Sequence, residues 1–110
     1  MIVRIWRGWT TPENADAYER LLKREVFVGI AKKSIAGYQK IELLRRDLGS
    51  EVEFVTMMRF NSIDDVKLFV GNDYEQAYVP TEARKLLKRF DQRSQHYDLR
   101  EAIDYASQPA

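Results

Sequence analysis

Phe54-Val55-Thr56-Met57-Met58-Arg59-Phe60 runs directly into Asn61-Ser62-Ile63-Asp64-Asp65-Val66-Lys67-Leu68-Phe69-Val70-Gly71. The first half reads as most of a strand, Val52 to Phe60. Its even positions (Val52, Phe54, Thr56, Met58, Phe60) take one face, while Val55 and Met57 lie on the other. A strand with apolar groups on both faces is expected to be covered on both. The second half reads as a helix. Ser62 is its cap, and Asp65 stands where a capping box prefers Glu or Gln. Val66, Phe69 and Val70 form its buried stripe, and Gly71 ends it. Tyr74, Ala77 and Tyr78 are expected to continue as a short helical segment. Pro80 then restarts a helix with Ala83, Leu86, Leu87 and Phe90 as its apolar stripe. Ser94 to Glu101 reads as the last strand and carries His96, the only histidine.

Upstream, Ile2 to Trp9 is rich in strand formers and also apolar on both faces. Thr11 is the expected cap of a following helix, with Pro12 at its first position. Tyr18, Leu22, Val26 and Ile30 fall four apart on that helix, which is expected to fray near Gly29. Gly37 to Arg46 reads as the second strand. Asp47-Leu48-Gly49-Ser50 reads as a hairpin turn, with Gly49 supplying positive φ. The order strand, helix, strand, strand, helix, strand is the α+β, ferredoxin-like split βαβ arrangement. The expected sheet is antiparallel and four-stranded in the order 4-1-3-2, with both helices on one side. One chain of this length covers only one sheet face. The other face predicts a homodimer joined through sheet faces.

The chain has 110 residues, a formal net charge of +1, no cysteine and one histidine. This length suits one domain, residues 1–103, followed by a frayed tail at 104–110. The absence of cysteine excludes disulfides, thiolate metal sites and cysteine nucleophiles. A single histidine makes a His-rich metal site impossible within one chain. Near-balanced charge offers no general attraction to nucleic acid or to anionic membranes. Met1-Ile2-Val3-Arg4 enters a strand with no leader-like features, so the cytoplasm is the expected location.

Trp6-Arg7-Gly8-Trp9, Tyr18, Gly37-Tyr38, the Met58-Arg59-Phe60 to Phe69-Val70-Gly71 run, Tyr74, Ala77 and His96-Tyr97 carry a resemblance to a family. Over roughly residues 2 to 100 the chain resembles the antibiotic biosynthesis monooxygenase-like superfamily of dimeric α+β barrels. The resemblance implies two sheets facing each other across a dimer and a sheet–helix cleft that holds an organic ligand. Some members oxidise polycyclic phenols with molecular oxygen and no metal or flavin. Others degrade haem with an asparagine on the first strand and a tryptophan and a histidine in the helical region. Neither set transfers as a whole. The first strand here lacks asparagine, and the helical region lacks tryptophan and histidine. Asn61 stands where quinone-forming members can carry an asparagine, but the tryptophan expected four residues later is Asp65.

His96 titrates near neutral pH when unperturbed. As a general base it would deprotonate a phenol, while as a structural residue it would hydrogen-bond at a strand end or an interface. The apolar alternates Tyr97 and Leu99 suggest that it points away from the helices. Trp6, Tyr74 and Tyr78 are candidate ligand-lining residues, each with core packing as the alternative. Trp6 and Trp9 take opposite faces of the first strand. Arg4 and Arg59 lie in central strands, where a buried guanidinium needs a carboxylate or a ligand anion. Glu42, Glu51 and Glu53 are the available partners, and Arg59 is a candidate ligand contact. Arg84, Lys85, Lys88 and Arg89 read as a solvated basic face. Together these residues support a small aromatic ligand, no cofactor and no metal. The expected function is a cofactor-independent monooxygenase-like protein that binds or oxidises a phenolic metabolite. Its rivals are a non-catalytic dimeric binding module and a metal-free isomerase or decarboxylase.

Overall fold

The computed structural model describes residues 1–107. Five strands, β1 (Ile2–Thr10), β2 (Tyr38–Asp47), β3 (Val52–Phe60), β4 (Leu87–Phe90) and β5 (Gln95–Asp98), form one antiparallel sheet. Its order is β2-β3-β1-β4, with β5 also paired to β1. This keeps the expected 4-1-3-2 order, with β5 as the expected last strand, shortened from Ser94–Glu101, and β4 as a fifth strand beside it. β4 pairs with Gly8–Thr10 and β5 with Ile2–Ile5, both along the outer edge of β1. Tyr105–Ser107 make one 3-10 turn, and the remainder of the expected tail, 108–110, lies outside the described residues.

Helix α1 (Pro12–Leu21) starts where the sequence places it, with Thr11 Oγ1 accepting from the Asn14 amide at 3.2 Å. It does not fray near Gly29. A π-helical turn (Leu22–Val26) carries it into α2 (Phe27–Lys32). A strict four-residue repeat drifts around a helix of 3.6 residues per turn, and the wider π turn takes that drift back. Burial of Leu22 and Ile30 offsets the propensity cost of Gly29. Helix α3 (Ile63–Val70) is capped by Ser62, whose Oγ accepts from the Asp65 amide and donates to the Asp65 carboxylate at 3.0 Å. That carboxylate packs directly on Gly37 (φ 77°), a position with no room for a side chain.

Two further expectations are corrected by tertiary pairing. Residues 72–79 form turns and an isolated bridge between Gln76 and Arg93, not a helix. Helix α4 (Thr81–Leu86) ends at Leu86, and Leu87–Phe90 becomes strand β4. Thr10 Oγ1 donates to the Leu86 carbonyl at 2.5 Å and marks the switch. The outer edge of β1 carries backbone groups that need partners, and pairing with it overrides the helical stripe of Leu87 and Phe90.

On β1 and β3 the even positions face the helices, as the strand alternation predicts. The core there divides into two clusters. One holds Trp6, Tyr18, Val52 and Phe54; the other holds Ile2, Ile30, Met58, Phe60, Val66 and Phe69. The seam between them falls where Arg4 and Thr56 stand in place of apolar residues. The opposite sheet face bears no helix. Leu44 pairs with Val55, Met57 with Ile5, and Val3 with Tyr97, which makes an apolar band flanked by charged side chains. Leu44 and Tyr97 are 49% and 55% exposed. No helix among the described residues is long and apolar enough to cross a membrane.

Gly8 lets the Trp6 indole lie along β1. A Cβ at residue 8 would sit 2.6 Å from the Trp6 ring and 3.1 Å from Leu87. Gly8→Ala is therefore expected to destabilise the protein by about 1–3 kcal/mol, read as a lower midpoint in urea. An unchanged midpoint would contradict this packing.

Candidate functional site

Arg4 projects from the middle of β1 toward the helices and is 2% exposed. Nη1 donates to the Tyr74 carbonyl at 2.6 Å, and Nη2 donates to the Gln76 carbonyl at 2.7 Å. Nη1 also donates to His96 Nε2 at 3.0 Å. A guanidinium has no acceptor to offer. His96 Nε2 must therefore accept, and the proton of the neutral imidazole sits on Nδ1. That Nδ1 is buried without a hydrogen-bond partner among the described residues. The His96 ring meets Tyr74 edge-on at 5.2 Å, and the Arg4 guanidinium lies over Phe69.

Electrostatics follow from this geometry. Burial, then the Arg4 cation, push the His96 pKa down to about 4, against a smaller opposing pull from Glu75. The ring is uncharged at neutral pH. Burial lowers Arg4 to about 10, again opposed by Glu75, so it stays cationic at neutral pH. The expected ion pair is not formed. Glu51 binds Lys88 and Arg89, Glu42 binds Lys40, and Glu75 binds Arg93. Among the described residues Arg4 has carbonyl and imidazole partners, and no carboxylate within ion-pair distance.

A cleft opens at the core seam, between the sheet and the α1–α2 arm. Trp6, Phe27, Ile30, Met58 and Phe69 supply apolar wall, and Arg4, Thr56 and Ser94 supply polar wall. Ser94 is 2% exposed, and its hydroxyl has no hydrogen-bond partner among the described residues. Tyr18 also lines the cleft, and burial raises its phenol pKa. The enclosed volume is about 40 Å³, space for roughly three waters at about 10–15 Å³ each. Val26, Tyr78 and Pro80 line both this cleft and a more open depression of about 210 Å³ outside it, so they form the wall between the two.

The sequence candidates separate. Trp6 and Tyr78 line the cleft. Trp6 Nε1 also donates to the Asp91 carbonyl at 2.9 Å, and Tyr78 packs on Phe69 at 4.8 Å between ring centres. Tyr74 does not line the cleft; its carbonyl holds Arg4. His96 stands behind Arg4, outside the lining. It is nonetheless on the helix side, because it pairs with Arg4 across β1 and β5 while Tyr97 pairs with Val3. The expectation drawn from Tyr97 and Leu99 is corrected by that register. Arg59 lies on the opposite sheet face, away from the cleft. Asn61 is exposed and accepts from Gln39 at 3.2 Å. Ser94 had no sequence signal beyond its place at the start of the last strand. Arg4 had one: a charged residue in the apolar alternation of a central strand. Among the described residues no group of three or more His, Asp or Glu side chains is placed to hold a metal ion.

No family model matches the chain. No curated protein matches it either. Solved structures do. A protein from Deinococcus radiodurans described as a candidate antibiotic biosynthesis monooxygenase matches with a TM-score of 0.62 at 17% identity, covering 94% of this chain and 97% of that one. A Bacillus cereus protein with the same description matches at 0.62 and 12% identity, covering 97% and 98%. The haem degrader MhuD of Mycobacterium tuberculosis, solved with two haems in its active site, matches at 0.57 and 16% identity, covering 94% and 100%. The present residues do not fit haem. The one histidine lies outside the cleft lining, with Nε2 held by Arg4. The shared property is architectural: this chain has the ferredoxin-like α+β fold of the antibiotic biosynthesis monooxygenase-like proteins.

Proposed function

We propose that this protein binds a small aromatic or phenolic metabolite in the sheet–helix cleft. We further propose that it acts there as a cofactor-independent, monooxygenase-like enzyme. The observation that carries the reading is the cleft itself, an aromatic-walled seam in the core with one cation at its polar wall. Ligand pockets of this kind combine apolar lining with a few placed polar groups. The cleft is far below the roughly 300 Å³ of a usual ligand site, so a ligand of that size requires the wall of the α1–α2 arm and Tyr78 to give way. In the oxidation, the substrate supplies four electrons to one O2. One oxygen atom enters the product and the other leaves as water.

A second reading, binding without catalysis, is favoured by one specific observation. The His96 lone pair at Nε2 is already occupied by Arg4, and the pKa is about 4, which suits a positioning residue better than a base at neutral pH. Oxygen uptake with hydroxylated naphthalenes and anthrones separates the two readings. Catalysis predicts one O2 consumed per substrate turned over. If His96 is the base, His96→Ala slows turnover by about 10²–10⁴-fold. Binding without oxygen uptake by any substrate supports the non-catalytic reading, and turnover unchanged in His96→Ala removes His96 as the base.

The functional unit we propose is a homodimer formed through the helix-free sheet face. The apolar band of Val3, Ile5, Leu44, Val55, Met57 and Tyr97 would be covered by its copy. Light scattering at micromolar concentration is expected to give twice the chain mass, and Met57→Lys is expected to give the monomer. A wild-type monomer would overturn the dimer.

A further inference from the structure

We propose that the cleft selects ligands carrying an anionic oxygen, a carboxylate or a phenolate, which docks on the Arg4 guanidinium and the Ser94 hydroxyl. This inference rests on the ligand-binding reading above and names its chemical class.

Four observations converge on it. Arg4 is a buried cation whose partners are two carbonyls and a neutral imidazole, so among the described residues no carboxylate within ion-pair distance cancels its charge. A buried unpaired charge is costly, and an anionic ligand would relieve that cost. A guanidinium has five N–H bonds. Three are engaged, two on Nη1 and one on Nη2, which leaves Nε–H and the second Nη2–H to donate. Ser94, 98% buried by its 2% exposure, lines the same cleft with an unpartnered hydroxyl. The Ser94 amide donates to the Glu75 carbonyl at 2.7 Å, which fixes the backbone that carries the hydroxyl.

The nearest acidic influence, Glu75, is drawn away toward Arg93 at 3.5 Å and does not fill the position. The two carbonyls and His96 fix the guanidinium plane, so it is preorganised for an incoming carboxylate or phenolate. In an otherwise apolar cleft such an ionic hydrogen bond is stronger than it would be in water.

Benzoate and its neutral isostere benzamide test this by calorimetry and by the fluorescence of Trp6, a lining residue. Benzylamine is the cationic control. Benzoate is expected to bind about tenfold or more tightly than benzamide, from the gain of charged over neutral hydrogen bonds, and benzylamine is expected not to bind. Arg4→Gln is expected to abolish the preference for benzoate. Ser94→Ala removes an unpartnered hydroxyl and is expected to fold, so it keeps the test open if Arg4→Gln does not. It should weaken benzoate several-fold more than benzamide. Equal binding of benzoate and benzamide, or a preference unchanged in every variant that folds, overturns the anion site and leaves the ligand-binding reading standing. Failure of both probes to bind overturns the two together.

Discussion

A cation buried in the central strand constrains much of the structure around it. Arg4 is surrounded by β3, β5 and the 72–79 segment, and it cannot be left without acceptors. The Tyr74 and Gln76 carbonyls meet it, and that holds the irregular segment after α3 against the sheet. His96 meets it from the neighbouring strand, across the Arg4–His96 rung of the β1–β5 pairing. The same residue interrupts the apolar face of β1. The core therefore divides at this rung, and the cleft lies in the gap. Fold and site are linked through one guanidinium.

This arrangement sets a pH dependence. The folded-state pKa of His96 is depressed below its usual value of 6.5, to about 4, by burial and by Arg4. Between those values the unfolded chain binds a proton that the folded chain refuses. Stability therefore falls as pH drops through the window from about 6.5 to about 4, and this group contributes no pH dependence above it. Protonation of His96 would also remove the acceptor from Arg4 and set two cations against each other. Surface pairs such as Arg45 with Asp16 and Glu19 add little by comparison, since they are solvated.

Much of the architecture was legible because it rests on local periodicity and end chemistry. The β3 alternation, the Thr11 and Ser62 caps and the Gly71 stop are all where the residues put them. What was not legible depends on pairing across the chain. The β4 strand at Leu87–Phe90 looks helical in isolation and becomes a strand because β1 offers an edge. The face of His96 is not legible in the sequence, because Tyr97 looks like a core residue. Register with Val3 instead turns Tyr97 to the helix-free face, where its apolar ring joins the exposed band. Within the site, Trp6 and Tyr78 could be anticipated as aromatic lining. Ser94 could not, since a buried serine and a loop serine are identical in sequence. Arg4 was visible as an anomaly, but only the three-dimensional partners distinguish an ion pair from a cation held by neutral groups.

A neutral His96 accepts from a buried Arg4. Nitrogen-15 NMR of the histidine ring across pH reads this directly. The expected result is the Nδ1–H tautomer at neutral pH, with Nε2 shifted as an acceptor and titration delayed to about pH 4. An Nε2–H tautomer, or titration near pH 6.5 as in an unperturbed histidine, would contradict it.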